Sequence, residues 1–226
     1  MRGMSRCTPA STAANACLPP LGEAEVHVWS LALAGDATPR AVADAARDAL
    51  GRLLRGYAGL RETPLLERSE FGKPHAPAAD GIDFNLSHSG PRALLAFARR
   101  QPLGVDLERI ERRVDPDEIA RRFFEAGEAE ALGRLPVEAR RLAFLRLWTR
   151  KEAVLKAQGR GLAFGLDRLA FQVEPSGDVG PLRHIAVDGG TVDGWNVHAL
   201  DCGTDFAAAL AWHGPARAVL RFDWHA

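Results

Sequence analysis

The chain has 226 residues, of which 46% are apolar, 26% charged and 7% aromatic. That supplies core for one large globular unit or two small ones and excludes a fibrous or wholly disordered protein. Its 29 Lys and Arg balance 29 Asp and Glu, so no global basic field favours nucleic acid or an anionic membrane, and any anion site must be local. No segment approaches the ~20 apolar residues of a membrane span.

Residues 1–22 carry Arg2 and Arg6 followed by an Ala/Ser/Thr/Pro-rich stretch. They lack the apolar centre of a secretory signal and are expected to form a disordered tail, with Met4 as a second candidate start. Cys7, Cys17 and Cys202 show no metal-ligand spacing, so neither a disulfide framework nor a zinc site is expected, and a reducing cytoplasm is. A strand is predicted over Glu25–Leu33 by alternation, and a helix from Pro39 to about Tyr57 with Leu50, Leu53, Leu54 and Tyr57 as its stripe. A polar stretch then leads through Phe71-Gly-Lys-Pro-His75 to strands over 82–86 and 93–98.

Leu103 to Ile110 alternates Val105 and Leu107 with Asp106 and Glu108, a strand with one acidic face. Residues 116–126 and 136–158 read as helices opened by Pro116 and Pro136, the second stopped by Gly159. Short strands are expected around 169–173, 184–187, 195–200, 207–212 and 218–222, divided by Gly, Pro and Asp. Each half runs strand, helix, strands, which makes a duplicated α+β unit plausible.

Asp106 and Glu108 stand i, i+2 on a strand and can converge on one cation. Such a pair alone is more often a solvated edge. On the helix, Trp148, Glu152 and Lys156 fall at i, i+4, i+8 and share a side. Three carboxylates without cysteine or clustered histidine are hard oxygen ligands suited to Mg²⁺ or Mn²⁺. Ser87, His88 and Ser89 follow the apolar run ending at Leu86 and offer hydroxyls and an imidazole to an anion. As neighbours on an extended chain, Ser87 and His88 are poorly placed as nucleophile and base. Of the 29 basic residues only three are lysine, Lys73, Lys151 and Lys156. All three fall in these segments, which suggests compact contacts to phosphate.

The ordered set Gly-Lys-Pro (72–74), Phe-Asn-Leu-Ser-His-Ser (84–89), Gly-Val-Asp-Leu-Glu-Arg-Ile (104–110) and Trp-Thr-Arg-Lys-Glu-Ala-Val-Leu-Lys-Ala-Gln-Gly-Arg-Gly-Leu (148–162) resembles the 4′-phosphopantetheinyl transferase superfamily, in its larger, surfactin-type branch. The resemblance implies a monomer of two similar α+β halves related by pseudo-twofold symmetry, here 23–100 and 101–226, with coenzyme A between them. It implies Mg²⁺-dependent transfer of the 4′-phosphopantetheine arm to a serine of an apo acyl or peptidyl carrier protein, releasing adenosine 3′,5′-bisphosphate. Asp106, Glu108 and Glu152 would hold the metal, Glu152 would take the serine proton, and Lys156 and His88, with Ser87 beside them, would hold the diphosphate and leaving nucleotide. Lys73 and Arg47 would meet the 3′-phosphate or adenine end. Trp148 is expected to pack between the halves, the alternative being that its ring lines the pantetheine channel. A carrier-binding module without turnover and a Mg²⁺-dependent diphosphate hydrolase are the alternatives.

Overall fold

A computed structural model describes residues 11–12, 18–111, 114–159, 165–186 and 191–225. Cys7, Cys17, Met4 and residues 160–162 at the end of the last motif lie outside the described residues. Residues 18–22, expected in the loose tail, are anchored instead: Leu21 is buried in a core, and the Arg99 Nε–H donates to its carbonyl at 2.7 Å.

Among the described residues two larger sheets, two small hairpins and four α-helices make a mixed α+β structure. The first sheet has the order β1-β12-β2-β6-β5, from β1 (Ser11–Thr12), β2 (Glu25–Ala32), β5 (Ile82–Ser89), β6 (Arg92–Arg99) and β12 (Ala218–Trp224). The second has the order β10-β11-β7, from β7 (Leu103–Arg109), β10 (Trp195–Ala199) and β11 (Phe206–His213). Two small hairpins, β3 (Glu67–Arg68) with β4 (Pro74–His75) and β8 (Leu169–Val173) with β9 (Val179–Ile185), complete the strands. The helices are α1 (Pro39–Ala58), α2 (Pro116–Phe123), α3 (Ala126–Arg134) and α4 (Val137–Gln158).

The period-2 alternation of the strands distributes the core into layers. On the first sheet Trp29, Leu31, Leu95 and Phe97 face α1 and its Leu50, Leu53 and Leu54. Val26, Val28, Leu94 and Ala96 point the other way, onto Val105, Leu107, Leu210 and Trp212 of the second sheet. The remaining face of that sheet, through Ala207, Ala209 and Ala211, takes α4 with Phe144, Leu147 and Leu155. The layers therefore run helix, sheet, sheet, helix. Gly104 sets how close α4 comes, since a Cβ there would lie 2.1 Å from the Ala153 carbonyl oxygen.

Three elements differ from the sequence reading. The helix expected over 116–126 ends at Phe123, and α3 starts at Ala126 behind a reciprocal capping box of Glu125 and Glu128. The strand expected at 184–187 starts earlier and runs over Val179–Ile185, residue 187 lying outside the described residues. The C-terminal strand leaves the second sheet and pairs parallel with β2 in the first, so the 101–226 segment is divided between the two sheets.

Candidate functional site

Among the described residues the outer edge of β7 has no strand partner in its own sheet, and an unpaired edge must satisfy its N–H and C=O groups elsewhere. Side chains do this. The Asn85 Oδ1 accepts from the Val105 N–H at 2.9 Å, the Ser87 Oγ from the Leu107 N–H at 3.2 Å, and the Ser89 Oγ from the Arg109 N–H at 2.9 Å. On the same edge Lys73 Nζ donates to the Leu103 carbonyl at 3.0 Å and Lys156 Nζ to the Val105 carbonyl at 3.1 Å. The seam between the sheets thus gathers four of the motif segments found in the sequence.

Gly104, Asp106 and Glu108 lie on the face of β7 that α4 covers. Asp106 is buried, and its Oδ1 accepts from Lys156 Nζ at 2.6 Å and from the Ser87 hydroxyl at 3.0 Å. Its Oδ2 is buried and accepts no hydrogen bond. Glu108 Oε2 accepts from the Ser89 hydroxyl at 3.2 Å. Glu152 is buried one turn before Lys156 on α4. Among the described residues, no group of three His, Cys, Asp or Glu side chains is close enough to hold a metal ion. The expected three-carboxylate cluster is therefore not assembled among the described residues, and the Lys156 ammonium sits on Asp106. The donor chemistry still suits a hard cation, and the unpartnered Asp106 oxygen is the kind of group such an ion satisfies.

Beside this pair a cleft of about 390 Å³ runs between α1, the β3–β4 hairpin, β5 and the end of α4. Arg47, Lys73, His88 and Lys156, all expected at the coenzyme, line it, and Arg68 joins them. No Asp or Glu is among the described lining residues, whereas Leu50, Leu66, Phe71 and Leu86 give it apolar walls. Burial pushes the Lys73 ammonium down to about 8, with the Asp83 charge opposing that shift. Arg47 is exposed and paired with Asp44 at 3.0 Å, a bond in water that a ligand can displace at little cost. Gly72, at φ 82°, turns the hairpin that carries Arg68 and Lys73.

Three expected residues stand elsewhere. Ser87 does not line the cleft; its hydroxyl is engaged with Asp106, Leu107 and Lys156. Trp148 packs against Phe144 and Phe124 at ring distances of 5.8 and 6.2 Å, in the core of the second sheet and its helices, not between the halves. Lys151, grouped with the other lysines as a phosphate contact, is wholly buried in an ion pair with Glu128 at 2.6 Å and donates to the Leu166 and Leu169 carbonyls. Arg68 was missed because the hairpin holding it is only two residues per strand; the Gly72 turn was its one signal.

Residues 102–211 match the sequence model of the 4′-phosphopantetheinyl transferase superfamily. Over 136 residues the chain is 40% identical to the 4′-phosphopantetheinyl transferase HetI of Nostoc sp., covering 58% of this chain and 57% of that protein. Over 142 residues it is 33% identical to the 4′-phosphopantetheinyl transferase Sfp of Bacillus subtilis, covering 60% and 62%. Over 109 residues it is 37% identical to the 4′-phosphopantetheinyl transferase AcpT of Salmonella typhi, covering 48% and 56%. The chain thus matches little more than half the length of these relatives. Residues 102–211, which run from β7 into β11 and hold Asp106, Glu108, Glu152 and Lys156, are thus similar to the 4′-phosphopantetheinyl transferase superfamily.

Proposed function

We propose that this protein transfers the 4′-phosphopantetheine arm of coenzyme A to a serine of an apo acyl or peptidyl carrier protein. One observation carries the reading: a cleft with Arg47, Arg68, Lys73, His88 and Lys156 on its walls, and no carboxylate among its described lining, ends at the Asp106–Lys156 pair. Coenzyme A matches it in kind, with a 3′-phosphate and a diphosphate for the cations and an adenine ring for the apolar walls. Lys73, Arg47 and Arg68 hold the 3′-phosphate end, and His88 and Lys156 the diphosphate.

Asp106, Glu108 and Glu152 would hold Mg²⁺, which supplies charge neutralisation at the diphosphate. Magnesium takes few protein carboxylates and completes its shell with water and phosphate oxygens, so a preassembled cage is unnecessary. Lys156 then has two tasks: it holds Asp106 in place, and its positive charge stands by the diphosphate oxygen where charge grows as the serine attacks. Its three protons go to Asp106, Ser87 and Val105, so a direct bond to that oxygen releases one of these. Glu152 is the base that takes the serine proton, directly or through water. The two sheets with their covering helices, α1 on one and α4 on the other, are read as two similar halves, 23–100 and 101–226, related by a pseudo-twofold axis, in a cytoplasmic monomer. Among the described residues no helix is long and apolar enough to cross a membrane.

The test is chromatographic. With Mg²⁺ and an apo carrier, adenosine 3′,5′-bisphosphate should accumulate in step with loss of apo carrier. Release of the bisphosphate without the carrier would identify a hydrolase instead, and no release would leave a binding module.

A further inference from the structure

We propose that Ser87 and Ser89 are positioning residues, which aim the carboxylates of Asp106 and Glu108 from the neighbouring sheet, and that neither hydroxyl is a coenzyme ligand. The inference begins with the register. On β5, residues 85, 87 and 89 face the N–H groups of residues 105, 107 and 109 on β7 and accept a hydrogen bond from each. Residues 104, 106 and 108, which precede these three amides, are Gly, Asp and Glu.

The side chains on β5 differ in the way this sequence requires. The amide oxygen of Asn85 can only accept, and beside it stands Gly104, which has nothing to receive a proton. A serine oxygen accepts and donates at once. Ser87 passes its proton to Asp106 Oδ1 at 3.0 Å, and Ser89 passes its own to Glu108 Oε2 at 3.2 Å. Each carboxylate is therefore tied, through one hydroxyl, to a backbone amide of its own strand.

Capacity excludes Ser87 as a phosphate contact. A hydroxyl has one proton and two lone pairs. The proton goes to Asp106, and the lone pairs take the Leu107 N–H at 3.2 Å and Lys156 Nζ at 3.2 Å. A coenzyme phosphate could gain a bond from Ser87 only by taking the proton from Asp106. The bond to Oδ1, shared with Lys156, leaves Oδ2 as the free oxygen, and this fixes which edge of the carboxylate a cation meets.

The inference rests on the proposed reading only for its kinetic part, so its main test is made without carrier or coenzyme. Mn²⁺ alone is titrated against the protein, free Mn²⁺ being read by electron paramagnetic resonance, and coenzyme A is titrated separately in EDTA by calorimetry. Ser87→Ala should weaken Mn²⁺ by roughly tenfold, the size seen when partners behind a ligand are removed, and leave metal-free coenzyme A affinity unchanged. Ser87→Thr, which keeps the hydroxyl, should restore Mn²⁺ binding, and Ser89→Ala should give a smaller loss of the same kind. In the transfer assay Ser87→Ala should lower kcat and spare the KM for coenzyme A. A loss of coenzyme A affinity with Mn²⁺ binding intact would overturn the proposal, as would unchanged Mn²⁺ binding in both alanine variants or no Mn²⁺ binding by the wild type. Failure of the functional reading would show differently, as Mn²⁺ binding of the expected pattern in a protein that modifies no carrier.

Discussion

Helix α4 carries two lysines five positions apart, each 2.6 Å from a carboxylate, and the two pairs have opposite surroundings. Lys151 and Glu128 are closed off. The ammonium donates to Glu128 and to the Leu166 and Leu169 carbonyls, while the carboxylate accepts from the Phe171 and Glu125 N–H groups at 2.7 and 3.2 Å. Burial pushes Glu128 up and Lys151 down, and the partner's charge opposes each shift. Lys156 lines the cleft, its side chain 26% exposed, with Asp106 buried behind it and one Asp106 oxygen left over. Ion-pair distance therefore does not tell the two pairs apart; the unused hydrogen-bonding capacity of Asp106 does, and it is the reason the second pair is the one proposed to work.

The comparison breaks most sharply on stability. Lys151→Met leaves a buried carboxylate without its cation and should cost about 3–5 kcal/mol, read as a lower urea midpoint with unchanged slope. Lys151→Met combined with Glu128→Leu should recover part of that loss, since no unpaired charge remains. Asp106→Asn should move the midpoint little and lower kcat by about 10²-fold or more, the scale on which one group acting on developing charge contributes. Lys156→Met should lower kcat likewise, with coenzyme A KM changed less. If Lys156→Met instead unfolds the protein and keeps its specific activity, the two pairs are alike and the distinction fails.

Smaller effects sharpen the picture. Trp148→Phe should lower thermal stability by about 1–2 kcal/mol, as a smaller ring leaves a gap beside Phe124 and Phe144, with coenzyme A KM unchanged. Lys73 adds a pH signature. Its folded pKa of about 8 lies below the ordinary 10.5, so coenzyme A KM should rise as pH passes 8 in the wild type and stay flat in Lys73→Met. The sign for stability is opposite. Between pH 8 and 10.5 the unfolded chain binds more protons at this site, so its contribution to unfolding free energy grows with pH across that window. A wild-type KM independent of pH from 7 to 9 would remove Lys73 from the phosphate site.

Periodicity made most elements legible. The Pro39 helix, the strand carrying Asp106 and Glu108, and the helix stopped by Gly159 all stand where local pattern puts them. What local pattern could not supply was partnership across the chain. Nothing near Lys151 distinguishes it from Lys156, because the difference is made by Glu128 and by the Leu166 and Leu169 carbonyls on one side, and by Asp106, Val105 and Ser87 on the other. The destination of β12 was hidden for the same reason, since alternation gives a strand but not its neighbour. Lys73, His88 and Lys156 were found as separate motif residues and Arg47 only through the family resemblance, and the fold brings all four to one cleft.

The most direct measurement is the intact mass of an apo carrier protein after incubation with coenzyme A, Mg²⁺ and either the wild type or Asp106→Asn. The wild type should add the mass of one phosphopantetheine to a single serine, and Asp106→Asn, folded to the same urea midpoint, should leave the carrier apo over the same interval. An unmodified carrier in the wild-type reaction, or equal modification by both proteins, would contradict the assignment of the open Asp106–Lys156 pair as the working site.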